Sequence, residues 1–229
     1  MAPTVLAVQG IEDLNEEIFG PVLHLATFAA KDLDHVINDI NASGYGLTFG
    51  FHSRIDDRVQ RIVSRIDVGN LYINRNQIGA VVGSQPFGGH GLSGTGPKAG
   101  GPRYLLRFAA QHPLSDHGDM LPMLSVEQVT SAFDAKPAQV TYEAKDLPGP
   151  TGESNRYVVT PKSRVLCMGL GAEKNALRVR ALGCRAVAAS MNPKDLAKIT
   201  DLDAVIYGGG DGRKLRQALN QREGPIVPL

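Results

Sequence analysis

The chain carries almost no net charge, with 24 Lys and Arg against 23 Asp and Glu. Charges that are scattered and matched leave no electrostatic footprint for nucleic acid. The densest basic stretch, Arg54 to Arg65, is interrupted by Asp56 and Asp57 and reads as a solvated helix face. Cysteine is scarce. Only Cys167 and Cys184 occur, and their spacing suits neither zinc nor a redox pair, so no metal site is expected. No apolar run approaches the roughly 20 residues of a membrane-spanning helix. Residues 1–6 lack the basic and apolar regions of a secretory signal. Few cysteines and no export signal imply a reducing cytoplasm. What remains is an ordinary globular composition, 42% hydrophobic and 21% charged, in 229 residues. That length allows one large domain or two small ones.

Strand and helix patterns alternate along the chain. Thr4 to Val8 and Pro21 to Phe28 are short, apolar and β-rich. Leu33, Val36, Ile37 and Ile40 recur at helical spacing, as do Val59, Ile62, Val63 and Ile66 over a helix expected at 58–66. Leu47 to Phe51 and Gly69 to Asn74 read as further strands. Such alternation argues for an α/β fold with a parallel sheet. After a polar, irregular stretch following residue 110, Val126 to Phe133 reads as a helix and 148–152 as a turn. Strands at 157–160, 164–168, 185–189 and 204–207 then alternate with helices at 172–182, 193–199 and 213–221. This second half has the topology of a small open nucleotide-binding unit.

The segment from Gln85 to Pro102 is dense in glycine and proline, which excludes a helix or strand interior. It specifies a loop whose backbone takes positive φ and approaches something closely. Phe87 needs a surface to pack on, so the segment reads as a ligand-facing loop. In Glu16-Glu17-Ile18-Phe19-Gly20-Pro21-Val22, an extended backbone would point Glu17 and Phe19 the same way. A carboxylate there could accept from a ribose diol and the ring could support a planar heterocycle. Equally, the segment could be a strand start with a solvated acid and a core aromatic. By themselves Gly79 and Ala80 read as an ordinary turn.

Taken together, Glu16 to Val22, Tyr45-Gly46-Leu47-Thr48, Gly69 to Asn74 and Pro86-Phe87-Gly88-Gly89 resemble the C-terminal part of the aldehyde dehydrogenase superfamily. Ile78 to Gly83 and Ser93 to Pro102 resemble its proline utilization A family, whose dehydrogenase acts on L-glutamate γ-semialdehyde (1-pyrroline-5-carboxylate). The resemblance covers residues 2 to about 110. It implies NAD as cofactor, with Glu17 holding the nicotinamide ribose and Phe19 lying beside it. Gly79 and Ala80 correspond to backbone that anchors the substrate α-carboxylate, and Phe87 to an aromatic on its aliphatic stem. Fixed backbone N–H groups suit a carboxylate because they donate without titrating.

The same chemistry needs a cysteine nucleophile, an oxyanion donor and a carboxylate base. In the family all three precede the glutamate motif, so no catalytic residue is assigned in this chain. Cys167, within Val165 to Met168, and Cys184, after a helix, read as inert packing cysteines. Any FAD would belong to an upstream proline dehydrogenase domain, outside this chain. The segment 146–155 followed by 164–167 resembles the start of the family's NAD-binding domain, which here would be a second, partial copy. In Gly169-Leu170-Gly171 two of three expected glycines follow a strand, a weak dinucleotide signal. Glu173 and the missing acid after the next strand favour a structural, non-binding copy.

The expected architecture is α/β throughout. Residues 1–110 form the C-terminal part of an aldehyde dehydrogenase catalytic domain, a parallel sheet with flanking helices. Residues 111–140 form a bridging segment, and 141–229 a degenerate Rossmann-like NAD-binding domain. The expected partners are the remainder of the dehydrogenase domain, glutamate semialdehyde and further copies in a homo-oligomer. Neither nucleic acid nor a transmembrane segment is expected. The alternative role is a non-catalytic lid or oligomerisation module of the same enzyme. The segment 224–229 ends as if a further strand were cut, and an incomplete core would leave apolar surface exposed.

Overall fold

The computed structural model describes residues 2–109, 120–134, 143–222 and 226–229. Parts of the expected bridging segment and of the chain end therefore lie outside the described residues. Two compact units are formed, Met1–Gly79 with Gly88–Gly96, and Ala80–Phe87 with Pro97–Leu229.

In the first unit, β1 (Thr4–Ala7) pairs in parallel with β2 (Val22–Leu25), Thr4 opposite Val22. Helix α1 (Leu33–Ala42) buries Ile37 from its apolar stripe and ends at Gly44, whose φ of +77° is the left-handed stop that glycine permits. β3 (Tyr45–Gly46) and β4 (Thr48–Phe51) follow, then α2 (Asp56–Val63) and β5 (Asn70–Ile73). β4 and β5 run parallel with Thr48 opposite Asn70, so α2 is the crossover of a β-α-β unit. Helix α2 begins two residues before the expected Arg58, because Asp56 and Asp57 suit the positive end of the helix dipole. Ile62 is buried, while Val63 of the expected face is 40% exposed. Between the helices, Asp34 pairs with Arg61 and Arg65, and Asn41 Nδ2 donates to Arg65 O at 2.8 Å. The parallel character is as expected, but the strands form separate pairs.

Glycine governs the loop that completes this unit. β6 (His90–Gly91) pairs antiparallel with β3, so the glycine-rich segment contains a two-residue strand where none was expected. Backbone alone makes this bridge, and Gly91 at φ +57° passes too close to Gly44 O for any side chain. A Cβ on Gly69 would likewise overlap the Gly88 carbonyl. Beside it, buried Asn70 accepts the Gly88 N–H through Oδ1 at 3.1 Å.

The second unit has its own core. A 3-10 turn spans Tyr104–Phe108. Helix α3 (Val126–Phe133) starts at a capping box, with Ser125 Oγ accepting from Gln128 N and Gln128 Oε1 accepting from Ser125 N. β7 (Glu143–Leu147) and β8 (Asn155–Val159) form an antiparallel pair around the 148–152 turn. Next come β9 (Arg164–Gly169), α4 (Ala172–Ala181), β10 (Arg185–Ala188), α5 (Pro193–Leu196), β11 (Ala204–Gly208) and α6 (Arg213–Asn220). The three strands form a parallel sheet in the order β10-β9-β11. Successive residues of β9 face opposite ways. Leu166 and Met168 join Val129, Phe133, Leu196 and Leu219, while Val165 and Cys167 join Ala172 and Ala176. Val205 N–H donates to Pro228 O at 2.9 Å and Val227 is buried, so residues 227–228 extend this core.

Candidate functional site

Glu17 and Phe19 lie in the irregular approach to β2, which Gly20 opens with φ +133°. The Glu17 side chain is exposed and Phe19 is 86% exposed. Phe19 is therefore not a core aromatic, and the acid is open to solvent. Burial is low across the adjoining strands too. Val5, Leu6, Leu23 and Leu25 of β1 and β2 are all exposed.

Asn74, after β5, takes φ +55°, and its side chain accepts from Ser53 N at 2.9 Å and donates to Ser53 O at 3.0 Å. Beyond it Gly79 is exposed, with no atom near its missing side chain, and Ala80 is half-buried. Phe87 is half-buried and exchanges two backbone hydrogen bonds with Ala99, at 2.9 and 3.0 Å. Glu17, Phe19 and Gly79 belong to the first unit, Ala80 and Phe87 to the second. Three polar groups nearby were not singled out from sequence: Gln85, Asn70 and Asn155. Nothing in the local pattern marks them, because their partners are backbone or distant in the chain. His90, in the glycine-rich loop, places Nδ1 2.8 Å from Asp67 Oδ1.

The thiols are packing groups. Cys167 is fully buried and Cys184 nearly so. Burial pushes the Cys167 thiol up to about 11 and raises the Cys184 thiol, to which Asp203 adds. Neither is poised as a thiolate nucleophile.

The glycine turn of the second unit offers little to a dinucleotide. Leu170 N–H donates to Gly208 O, so a central donor is already used within the chain. Side-chain positions on Gly169 and Gly208 would run into the opposing strand end, and Tyr207 closes over both Gly169 and Gly209. Glu173 places negative charge in the first turn of α4. A concavity of about 320 Å³ lies between Lys31, Asp34, Asp57, Arg58 and Arg61, and none of the five candidate residues lines it. Among the described residues no cluster of metal-ligating side chains occurs, and no helix is long and apolar enough to cross a membrane.

Comparison with known proteins agrees with the resemblance read from the motifs. Residues 1–112 match the model of the Aldehyde dehydrogenase family. The bifunctional protein PutA of Klebsiella aerogenes is 38% identical over 281 aligned positions, covering 99% of this chain and 21% of the relative. A 1-pyrroline-5-carboxylate dehydrogenase of Bacillus thuringiensis is 47% identical over 105 positions, covering 45% of this chain and 20% of the relative. The chain thus spans about a fifth of the length of these relatives. The proline utilization A structure from Corynebacterium freiburgense, at 22% identity and a TM-score of 0.50, covers 92% of this chain and 23% of its own, a likeness of fold. The match places residues 1–112, a mixed α/β segment with small parallel sheets, within the aldehyde dehydrogenase family.

Proposed function

We propose that the chain forms one side of the active site of an NAD-dependent L-glutamate γ-semialdehyde dehydrogenase of proline catabolism, and is inactive alone. NAD would supply the hydride acceptor for the oxidation, and the cysteine nucleophile would come from outside the described chain. Glu17 would hold the nicotinamide ribose and Phe19 would lie beside it. Gly79 and Ala80 would donate backbone N–H groups to the substrate carboxylate, and Phe87 would pack on its stem. The exposure of Glu17 and Phe19 fits this role, because both must meet a ligand. The observation that carries the reading is the pair β1-β2. Parallel strands are ordinarily covered on both faces, yet here Val5, Leu6, Leu23 and Leu25 are bare. Such a pair calls for the rest of a catalytic domain over it, and both thiols of this chain are buried.

The domain organisation follows the same reading: residues 1–110 as dehydrogenase, 111–140 as bridge, and 141–229 as a Rossmann-like copy that has lost its ligand. One observation favours a lid or assembly role for the last part. Among the described residues β7 and β8 form a two-stranded pair, and Glu143 to Asp146 are all exposed, an edge suited to docking on another sheet or subunit. The test is NADH formation from glutamate semialdehyde, measured for the chain alone and after co-expression with the preceding part of a PutA dehydrogenase domain. No turnover alone and restored turnover together is the expected result. In the restored assembly Glu17→Ala should raise the KM for NAD about tenfold, the loss of one bidentate carboxylate contact. Turnover by the chain alone, at the rate of the assembly, would refute the proposal.

A further inference from the structure

We infer that Gln85 and Asn155 are positioning residues for the loop that anchors the substrate α-carboxylate, an inference resting on the role proposed for Gly79 and Ala80. Packing does little to fix this loop. Ile78 is 91% exposed and Val82 99% exposed, and neither Gly79 nor Gly83 has a neighbour where a side chain would stand. Hydrogen bonds hold it instead. Gln85 N–H donates to Val81 O at 2.9 Å, and Gln85 Oε1 accepts the Val81 N–H at 2.8 Å. Gln85 thus clamps Val81 from main chain and side chain at once.

The remaining side of the Gln85 amide fixes the clamp. Its Nε2 donates to Asn155 Oδ1 at 3.0 Å, 70 residues further along the chain and within the same compact unit. Asn155 opens β8 opposite Leu147, and its Nδ2 is buried against the turn at Gly149, without a hydrogen-bond partner among the described residues. A side chain on Gly149 would occupy the place of that Nδ2. The turn holds Asn155, Asn155 holds Gln85, and Gln85 holds the amide next to Ala80. Backbone donors recognise a carboxylate only when they are already aimed, so this chain of contacts tunes selection of aldehydes that bear an α-carboxylate.

Hydrogen exchange of the Val81 amide, followed by NMR in the full chain, tests the clamp independently of activity. Gln85→Ala and Asn155→Ala should each speed Val81 exchange about tenfold, while the Ala189 amide, which donates to Cys167 O, stays protected. Gln85→Glu keeps the acceptor and lets Asn155 turn its Nδ2 toward it, so Val81 should remain protected. Gly149→Ala should reproduce the Asn155→Ala effect without removing the amide. Unchanged Val81 exchange in Gln85→Ala overturns the clamp, and unchanged exchange in both Asn155→Ala and Gly149→Ala overturns the coupling. In the co-expressed active assembly, the ratio of kcat/KM for glutamate semialdehyde over propanal should fall about tenfold in Gln85→Ala and recover in Gln85→Glu. An unmoved ratio beside a faster Val81 amide overturns the carboxylate role. A wild-type assembly inactive on both aldehydes overturns the dehydrogenase reading itself, while the exchange data still judge the clamp.

Discussion

Thiol chemistry gives the sharpest check on the claim that the nucleophile comes from elsewhere. Cys167 has no solvent exposure and Cys184 has 5%. With its pKa pushed from an ordinary 9.0 up to about 11, Cys167 is only about 0.1% thiolate at pH 8, against roughly 10% for an unperturbed thiol. The ionised fraction alone slows its attack on a disulfide reagent about a hundredfold, and burial slows it further. Ellman's reagent at pH 8 should therefore count two thiols in guanidinium and none over the same interval in the native chain. The same shift has a linked effect on stability. The thiol stays neutral when folded and ionises near pH 9 when unfolded, so the unfolded state binds fewer protons between about pH 9 and 11. Stability falls as pH rises through that window, by at most about 1.4 kcal/mol per unit, and Cys167→Ala flattens the slope. A native thiol that reacts at more than a tenth of the denatured rate would refute the assignment of both cysteines to packing.

Further predictions concern single contacts. Arg222 is buried, with Nε donating to Ile199 O at 2.8 Å and an Nη to Thr200 O at 2.7 Å. Arg222→Met strands two carbonyls and should cost about 2–3 kcal/mol in urea unfolding. Gly69→Ala drives a methyl into the Gly88 carbonyl and should cost about 3 kcal/mol, read from the same titration through loss of Ile37 and Ile62 amide protection. Ser125→Ala removes the α3 capping box and should cost about 1 kcal/mol, with a matching fall in Tm.

The elements that the sequence made legible are those whose apolar residues repeat at a structural period. β9 through α6 could be read because Val165 to Met168, Ala186 to Ala188 and Ala204 to Tyr207 are short apolar runs between turns, and the sheet buries both faces of β9. β7 was missed because Glu143-Ala144-Lys145-Asp146 offers no apolar alternation. Among the described residues it pairs only with β8, and four of its five residues face water. Helix α5 stops at Leu196, short of the expected Ile199, where the chain turns back and Ile199 and Thr200 present their carbonyls to Arg222. For the candidate site, the resemblance to the aldehyde dehydrogenase superfamily marked Glu17, Phe19, Gly79, Ala80 and Phe87. It could not mark Gln85 with Asn155, because a hydrogen bond across 70 residues leaves no local period.

The two glycine-rich segments show why glycine alone does not identify a binding loop. A glycine permits close approach, but the approaching group can be a ligand or the protein's own backbone. At Gly69, Gly91, Gly169 and Gly208 the neighbour is another carbonyl of this chain, so those positions close the fold on itself. At Gly79 no atom stands near the missing side chain and the residue is exposed, so close packing within this chain does not account for a glycine there. The difference separates glycines that a methyl would destabilise from one that a methyl would leave folded. Gly79→Ala carries no steric penalty within this chain. A rise in KM for glutamate semialdehyde in that variant, with unchanged unfolding in urea, would therefore report on the ligand and not on the scaffold.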